Sequence, residues 1–326
     1  MKEVFLLGAG FSKAVHDSMP NLKELSIKVK EKCTGVFSLP PPVLDLGDDI
    51  ELWLTYLSQP QPWLKETDNL QNRAIFLHMT EVIGQVLDET TKEAVGQNCP
   101  EWLCSLVKYW NAHKSSIITL NYDTLIERVA GKNGIATQNI YPVGFTDVRR
   151  NQLFPCATLQ DSFKLFKLHG SVNWHYSGAA SFYGEVLYVS YVAGWGPLSD
   201  DAENQLRVAA SDKVPLIVPP TSEKISYFQH ETLRQIWHRA SEVLKAATCV
   251  YCIGYSLPTT DLGIRFFLIH GKPNGKIPLS IVNIKNENID VAKHYQDLLD
   301  NSYNIDGKYA TTGVEAFVED LLKDIL

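Results

Sequence analysis

The sequence has no apolar run approaching the roughly 20 residues that cross a bilayer, so no membrane span is expected. It also lacks a basic excess: Lys and Arg number 30 against 37 Asp and Glu, for a formal net charge of -7. Proteins that live on nucleic acid usually carry such an excess, so direct nucleic-acid binding is not expected. The one basic pair, Arg149-Arg150, reads as ordinary loop. Cysteine is scarce, with six residues, too few for a disulfide scaffold of this length. Segment 172–248 has none. The single C-x-x-C, Cys249 to Cys252, sits inside an apolar run, where thiols act as small hydrophobes, so no bound metal is expected. The apolar stretch after Met1 is short, and Glu3 stands where a signal peptide would be positive. A cytoplasmic protein with reduced thiols is the expectation. Internal repeats and low-complexity tracts are missing too.

Apolar residues make up 45% and charged residues 21%, enough for a large core. At roughly 100–200 residues per domain, the length suggests about two domains, or one large domain with an insertion. Short apolar runs recur and end in polar or glycine turns. Val4–Leu7 precedes Gly8, 116–120 precedes Asn121, and 166–168 precedes His169. Val214–Val218 precedes a proline pair, 249–253 precedes Gly254, and 279–282 precedes Asn283. Helical patterns follow several of them. This is the pattern of a parallel α/β sheet with functional loops at the strand C-termini. Helical spacing dominates 21–113, with stretches at 22–32, 50–57, 71–95 and 102–110 and a predicted loop at Pro40-Pro41-Pro42. That region reads as a helical insertion. Segment 176–213, rich in Gly, Ser and Tyr, reads as irregular.

Gly8-Ala9-Gly10-Phe11-Ser12 follows the first strand directly. Two glycines allow a tight turn and a close approach to phosphate, and the next helix offers N–H groups. A plain strand-to-helix turn is the competing reading. A dehydrogenase fingerprint needs a third glycine, and Lys13 stands there, which argues against hydride transfer. At the second tip, Thr124 to Glu127 matches a capping box, placing a helix start near Thr124 and leaving Asn121 outside it. Asp123 is accounted for by the helix N-terminus alone, whereas an amide at a strand tip can orient a substrate or a water. His169 precedes Gly170, which would let a ligand approach, and histidine is the natural general base near neutral pH. His175 reads as a surface or packing residue. Gly254 permits close backbone approach, Ser256 can donate to phosphate or ribose, and Asp261 can cap the next helix.

Five motifs in order carry a resemblance: Gly-Ala-Gly-Phe-Ser (8–12), Thr-x-Asn-Tyr-Asp (119–123), Leu-His-Gly-Ser (168–171), Pro-Pro-x-x-x-Lys (219–224) and Gly-Tyr-Ser-Leu-Pro-x-x-Asp (254–261). Together they resemble the SIR2-like family of prokaryotes. The fold this implies is α/β, a Rossmann-like parallel sheet flanked by helices as in sirtuins, with an inserted helical subdomain. One SIR2-like domain would span 1–326, its NAD-binding core 1–20 and 114–326, its insertion 21–113. Many bacterial members are NAD glycohydrolases that deplete NAD in anti-phage defence.

By this resemblance Asn121 and His169 form the catalytic pair. Gly8, Ala9, Gly10, Phe11 and Ser12 form the NAD-binding turn, and Asp123 belongs to the same cofactor-binding set. Ser256 and Asn283 match positions near the adenosine half. NAD is then the substrate. His169 would accept a proton from a ribose hydroxyl or the incoming water, and Asn121 would hold that water or the ribose. Nicotinamide leaves without protonation, so no carboxylic acid pair is needed. Sirtuin deacylases carry a four-cysteine zinc module between the His-Gly and Gly-x-Ser motifs. Its absence from 172–248 weakens the deacylase alternative and leaves ADP-ribosyl transfer open. A second alternative is a non-catalytic NAD or ADP-ribose-binding module of a larger complex. An active NADase needs restraint, so a homo-oligomer or a hetero-complex with a sensor or regulatory protein is expected.

Overall fold

The computed structural model describes residues 2–150, 152–155, 162–177, 186–190, 192, 194–222, 230–284 and 290–323. Lys224, the last residue of the proline-pair motif, lies outside them. Among the described residues, eleven strands form two sheets. In chain order the strands are β1 (Glu3–Leu7), β2 (Ser116–Thr119), β3 (Phe145–Asp147), β4 (Leu153–Phe154), β5 (Lys164–Lys167) and β6 (Gly170–Tyr176). There follow β7 (Leu187–Val189), β8 (Val214–Ile217), β9 (Cys249–Ile253), β10 (Ile277–Val282) and β11 (Tyr303–Tyr309).

The main sheet has six parallel strands in the order β11-β10-β9-β1-β2-β5. Every residue of β1 is buried, as a continuous apolar run flanked by helices on both faces requires. The chain starts at the centre, winds outward through β2 and β5, then returns to β9 on the other side of β1. That reversal makes β1/β9 a topological switch point, where the turns leaving the two strands diverge and open a crevice. The fold is therefore the expected Rossmann-like parallel sheet flanked by helices.

Three local expectations need correction. Val214–Ile217 is not a strand of the parallel sheet. It pairs antiparallel with β6 in a second, five-stranded sheet of order β4-β3-β7-β6-β8. Its apolar character is real, with Leu216 and Ile217 buried, but composition does not say which sheet buries it. Segment 176–213 is less irregular than composition suggests, because it contributes β7 and a ten-residue helix, Asp200–Ala209, capped by Ser199. The proline run is not all loop: Pro41–Leu44 forms one helical turn, with proline in its first turn, where the missing N–H has no intrahelical partner to lose.

The helical region comprises α1 (Ala9–Val15), then α2 (Leu22–Cys33), α3 (Pro41–Leu44), α4 (Ile50–Ser58), α5 (Glu66–Val95) and α6 (Glu101–His113). A full capping box at Asn21 and Glu24 starts α2, and Asp49 caps α4. Leu25, Val29, Trp53, Leu54, Phe76, Met79 and Ile83 close a core of their own. The packing divides within α5: Leu87 belongs to the helical core, Ala94 and Val95 to the sheet core. Sequence periodicity groups α6 with the insertion, yet Leu106, Val107 and Trp110 pack on the sheet, Trp110 with its ring 5.4 Å from that of Phe5. A helix shows its apolar stripe in sequence but not the surface that receives it.

Candidate active site

At the switch point the Gly8 and Gly254 turns touch. Gly8 N–H donates to Ile253 O (3.0 Å) and Gly10 N–H to Gly254 O (2.9 Å). Gly254 has φ +66°, and a Cβ on it would lie 2.1 Å from the Phe11 nitrogen. The glycines of this turn and of Gly254 let two backbones pack on each other, rather than leaving their approach free for a ligand. Phe11 N–H is also used, by Gly8 O (2.9 Å), whereas the Ala9 N–H has no acceptor among the described residues. Gly170 behaves likewise. Its φ is +78°, and the space a Cβ would fill is taken by Leu216 O at 2.0 Å, so it admits strand β8 beside His169.

Asn121 stands at the tip of β2. Its Nδ2 donates to Gly8 O (2.9 Å) and to Ser12 Oγ (2.8 Å). A carbonyl can only accept, so this fixes which end of the amide faces the glycine turn. The Oδ1 oxygen has no hydrogen bond among the described residues. Ser12 Oγ donates onward to Asp123 Oδ2 (2.6 Å), and Asp123 Oδ1 accepts from Leu125 N–H (3.1 Å). Asp123 thus does both things: it caps α7 (Leu125–Lys132) and anchors a chain from amide to hydroxyl to carboxylate. The helix starts where the sequence places it, but the capping box does not form. Thr124 Oγ1 accepts from Arg128 Nε (3.1 Å), and Glu127 turns inward to Tyr141 and Lys167 (both 2.9 Å).

Lys167 is 1% exposed. Its Nζ donates to Asp123 O and to Glu127 Oε1, so a buried ion pair props the Asn121–Asp123 loop from beneath. His169, two residues on, is buried with its ring 6.1 Å from that of Tyr122. Tyr122 OH donates to Val218 O (2.6 Å), tying this loop to the end of β8.

These pieces surround a cavity of about 210 Å³. Gly8, Ala9, Ser12, Asn121, Asp123 and His169 line it. Gly10 and Phe11 do not, and Phe11 is core, edge-on to Trp102 at 5.9 Å. Ser256 and Asn283 also lie off it. Ser256 O faces His294 Nδ1 (3.2 Å), and Asn283 Oδ1 accepts from Ile284 N–H (2.9 Å). Three lining groups escape the sequence reading as cavity residues. Glu51, on α4, is 7% exposed and accepts from Thr260 Oγ1 (3.0 Å). Tyr255 OH donates to Asp261 Oδ2 (2.9 Å), and burial with that carboxylate pushes the phenol well up. Asp261 also caps the following helix, as expected, through Ile264 N–H (3.5 Å). An acid in the first turn of an apolar helix gives no sign that it faces a distant sheet. Among the described residues the cavity has three carboxylates and no Lys or Arg.

Among the described residues no group of three or more His, Cys, Asp or Glu could hold an ion. Burial pushes the Cys252 thiol up to about 12, as for an inert core residue. No described helix is long and apolar enough to cross a membrane.

Residues 115–262 match the family model described as the SIR2-like domain. Over that span the chain is SIR2-like. The match takes in Asn121, His169 and the Gly254 turn, and leaves out the Gly8–Ser12 turn and all of the helical region, 21–113. No curated protein matches the chain. Among solved structures it is similar to a Sir2 homologue in complex with NAD, 14% identical over 100% of this chain and 91% of that one, TM-score 0.46. Sir2 bound to acetylated peptide is 15% identical over 99% and 92%, TM-score 0.45. Sir2 with p53 peptide and NAD+ is 14% identical over 99% and 92%, TM-score 0.41.

Proposed function

We propose that the SIR2-like domain is an NAD+ glycohydrolase, converting NAD+ and water to ADP-ribose, nicotinamide and a proton. The observation that carries this reading is the meeting of Asn121, His169 and the Gly8–Ser12 turn in one cavity at the switch point of a doubly wound sheet. Such a crevice is where this architecture takes dinucleotides. The electrostatics fit the chemistry. Nicotinamide is a cationic leaving group, and positive charge develops on the ribose as the glycosidic bond breaks. Glu51, Asp123 and Asp261 supply fixed negative charge in the same cavity, which favours that development. Asn121, held by Gly8 O and Ser12, presents a pre-oriented oxygen for a ribose hydroxyl or the attacking water. His169 takes the proton that water loses.

We read the protein further as a regulated, cytoplasmic anti-phage effector acting as an oligomer or with a sensor protein. What supports this is the sequence resemblance, and the danger that unrestrained NAD+ loss poses to the cell that makes it. The test is NAD+ turnover by purified protein, read as nicotinamide and ADP-ribose. His169→Ala and Asn121→Ala should each lower turnover at least about 100-fold with the fold retained. Full activity in both folded variants overturns the site. ADP-ribose found on protein would replace hydrolysis by transfer, and NAD+ bound but uncleaved would leave a binding module.

A further inference from the structure

A second cavity, of about 350 Å³, shares walls with the first. Leu87 and Asp123 line the first; their chain neighbours Asp88 and Thr124 line the second. Its centre of interest is Arg128, which is 7% exposed. The guanidinium donates through Nε to Thr124 Oγ1 and through Nη1 to the carbonyls of Gly196 (2.8 Å) and Gly194 (3.5 Å). Among the described residues no carboxylate pairs with it, and Nη2 has no acceptor. Arginine remains ionised in proteins, and a buried charge without a counter-ion is costly, so such a group signals a missing anion. Burial pushes the Arg128 pKa down, and the more distant Asp88, Glu127 and Glu203 oppose this.

Those acids do not neutralise it directly. Asp88 and Glu203 are both held by Lys92, at 2.9 Å each. Arg207 also lines the cavity and bonds only Asn204 Oδ1 (3.3 Å) among the described residues. His175 faces Ser190 Oγ across 3.4 Å, and burial with nearby Lys213 pushes it down to about 4, so it is neutral at pH 7. Lys92, Arg128 and Arg207 therefore face two acids, which leaves one net positive charge.

We propose that this cavity is a second small-molecule site that binds a phosphorylated sugar. The phosphate sits between Arg128 and Arg207, where two guanidinium groups and the Thr124 and Ser190 hydroxyls offer more donors than one carboxylate uses. The sugar hydroxyls donate to the outer oxygens of Asp88 and Glu203. On the reading of the first cavity as the NAD+ site, this ligand is a regulator, because it would press on α5 and on the turn that carries Asp123.

The experiment is calorimetric titration of ribose 5-phosphate into wild type, Arg128→Gln, Arg207→Glu and Asn121→Ala. Wild type and Asn121→Ala bind it alike. Both arginine variants weaken binding at least about tenfold, the loss of a charged hydrogen bond. No heat of binding to wild type at millimolar concentration overturns the site, as does binding lost in Asn121→Ala but kept in the arginine variants. Should Arg128→Gln not fold, the exposed Arg207→Glu decides alone. Binding is read without NAD+, so failure of the hydrolase reading leaves this result standing.

Discussion

The first cavity takes most of its polar groups from turns at the ends of β1, β2, β5 and β9, held by backbone and short side chains. The second takes its charges from the faces of α5, α7 and the helix Asp200–Ala209, on long side chains. One is acidic with no described cation, the other carries net positive charge. The difference teaches that parallel sheet topology builds a site from short contiguous motifs, whereas a site between helices is assembled from residues far apart in sequence. The Asp123–Thr124 turn belongs to both, and Lys167 supports it from below.

Substitutions can separate the two cavities or join them. The largest effect is expected from Gly254→Ala, which forces a Cβ to 2.1 Å from the Phe11 nitrogen at a left-handed φ. It should cost on the order of 4 kcal/mol in urea unfolding and disturb the first cavity most. Lys167→Met strands the buried Glu127 carboxylate, whose Oε2 already has no hydrogen-bond partner among the described residues. A loss of about 3–5 kcal/mol is expected, largely restored in Lys167→Met/Glu127→Leu, with both cavities affected in the single variant. A double-mutant cycle measures this.

Ser12→Ala leaves Asn121 Nδ2 and Asp123 Oδ2 each short of one partner. It should cost about 1–3 kcal/mol and slow NAD+ turnover while sparing ribose 5-phosphate binding. At pH 7 the smallest effect is at His175. Its pKa falls from 6.5 unfolded to about 4 folded, so the unfolded chain binds the proton first. Stability is then full above pH 6.5 and lost as pH falls toward 4. His175→Gln should flatten the dependence of the urea midpoint on pH in that window. An unchanged slope would show that the ring is not buried as described.

Much of the first cavity was legible because its residues follow strands. An apolar run that stops at a glycine or a short polar residue announces both a strand and its tip, and a doubly wound sheet gathers the tips on one edge. The Gly8–Ser12 turn, Asn121 and His169 are found by that logic, and the family resemblance adds Asp123. Phe11, Ser256 and Asn283 share the motifs but not the cavity, because adjacency in sequence does not fix which way a side chain leaves the turn. Glu51 was invisible: its local pattern is that of an N-terminal acid on an apolar helix, and only the docking of α4 brings it to Thr260.

By itself, then, the amino-acid sequence determined the parallel sheet, the strand tips and the order of the motifs, since these depend on local periodicity and on turn chemistry within a few residues. Tertiary structure alone decided that β8 leaves that sheet for a second one. It also decided that the glycines pack on each other, that Lys167 pairs with Glu127, and that Arg128 faces a cavity with no carboxylate paired to it among the described residues. Each of these depends on contacts between residues tens to hundreds of positions apart, and no local pattern encodes which surface an apolar run or a long charged side chain will meet.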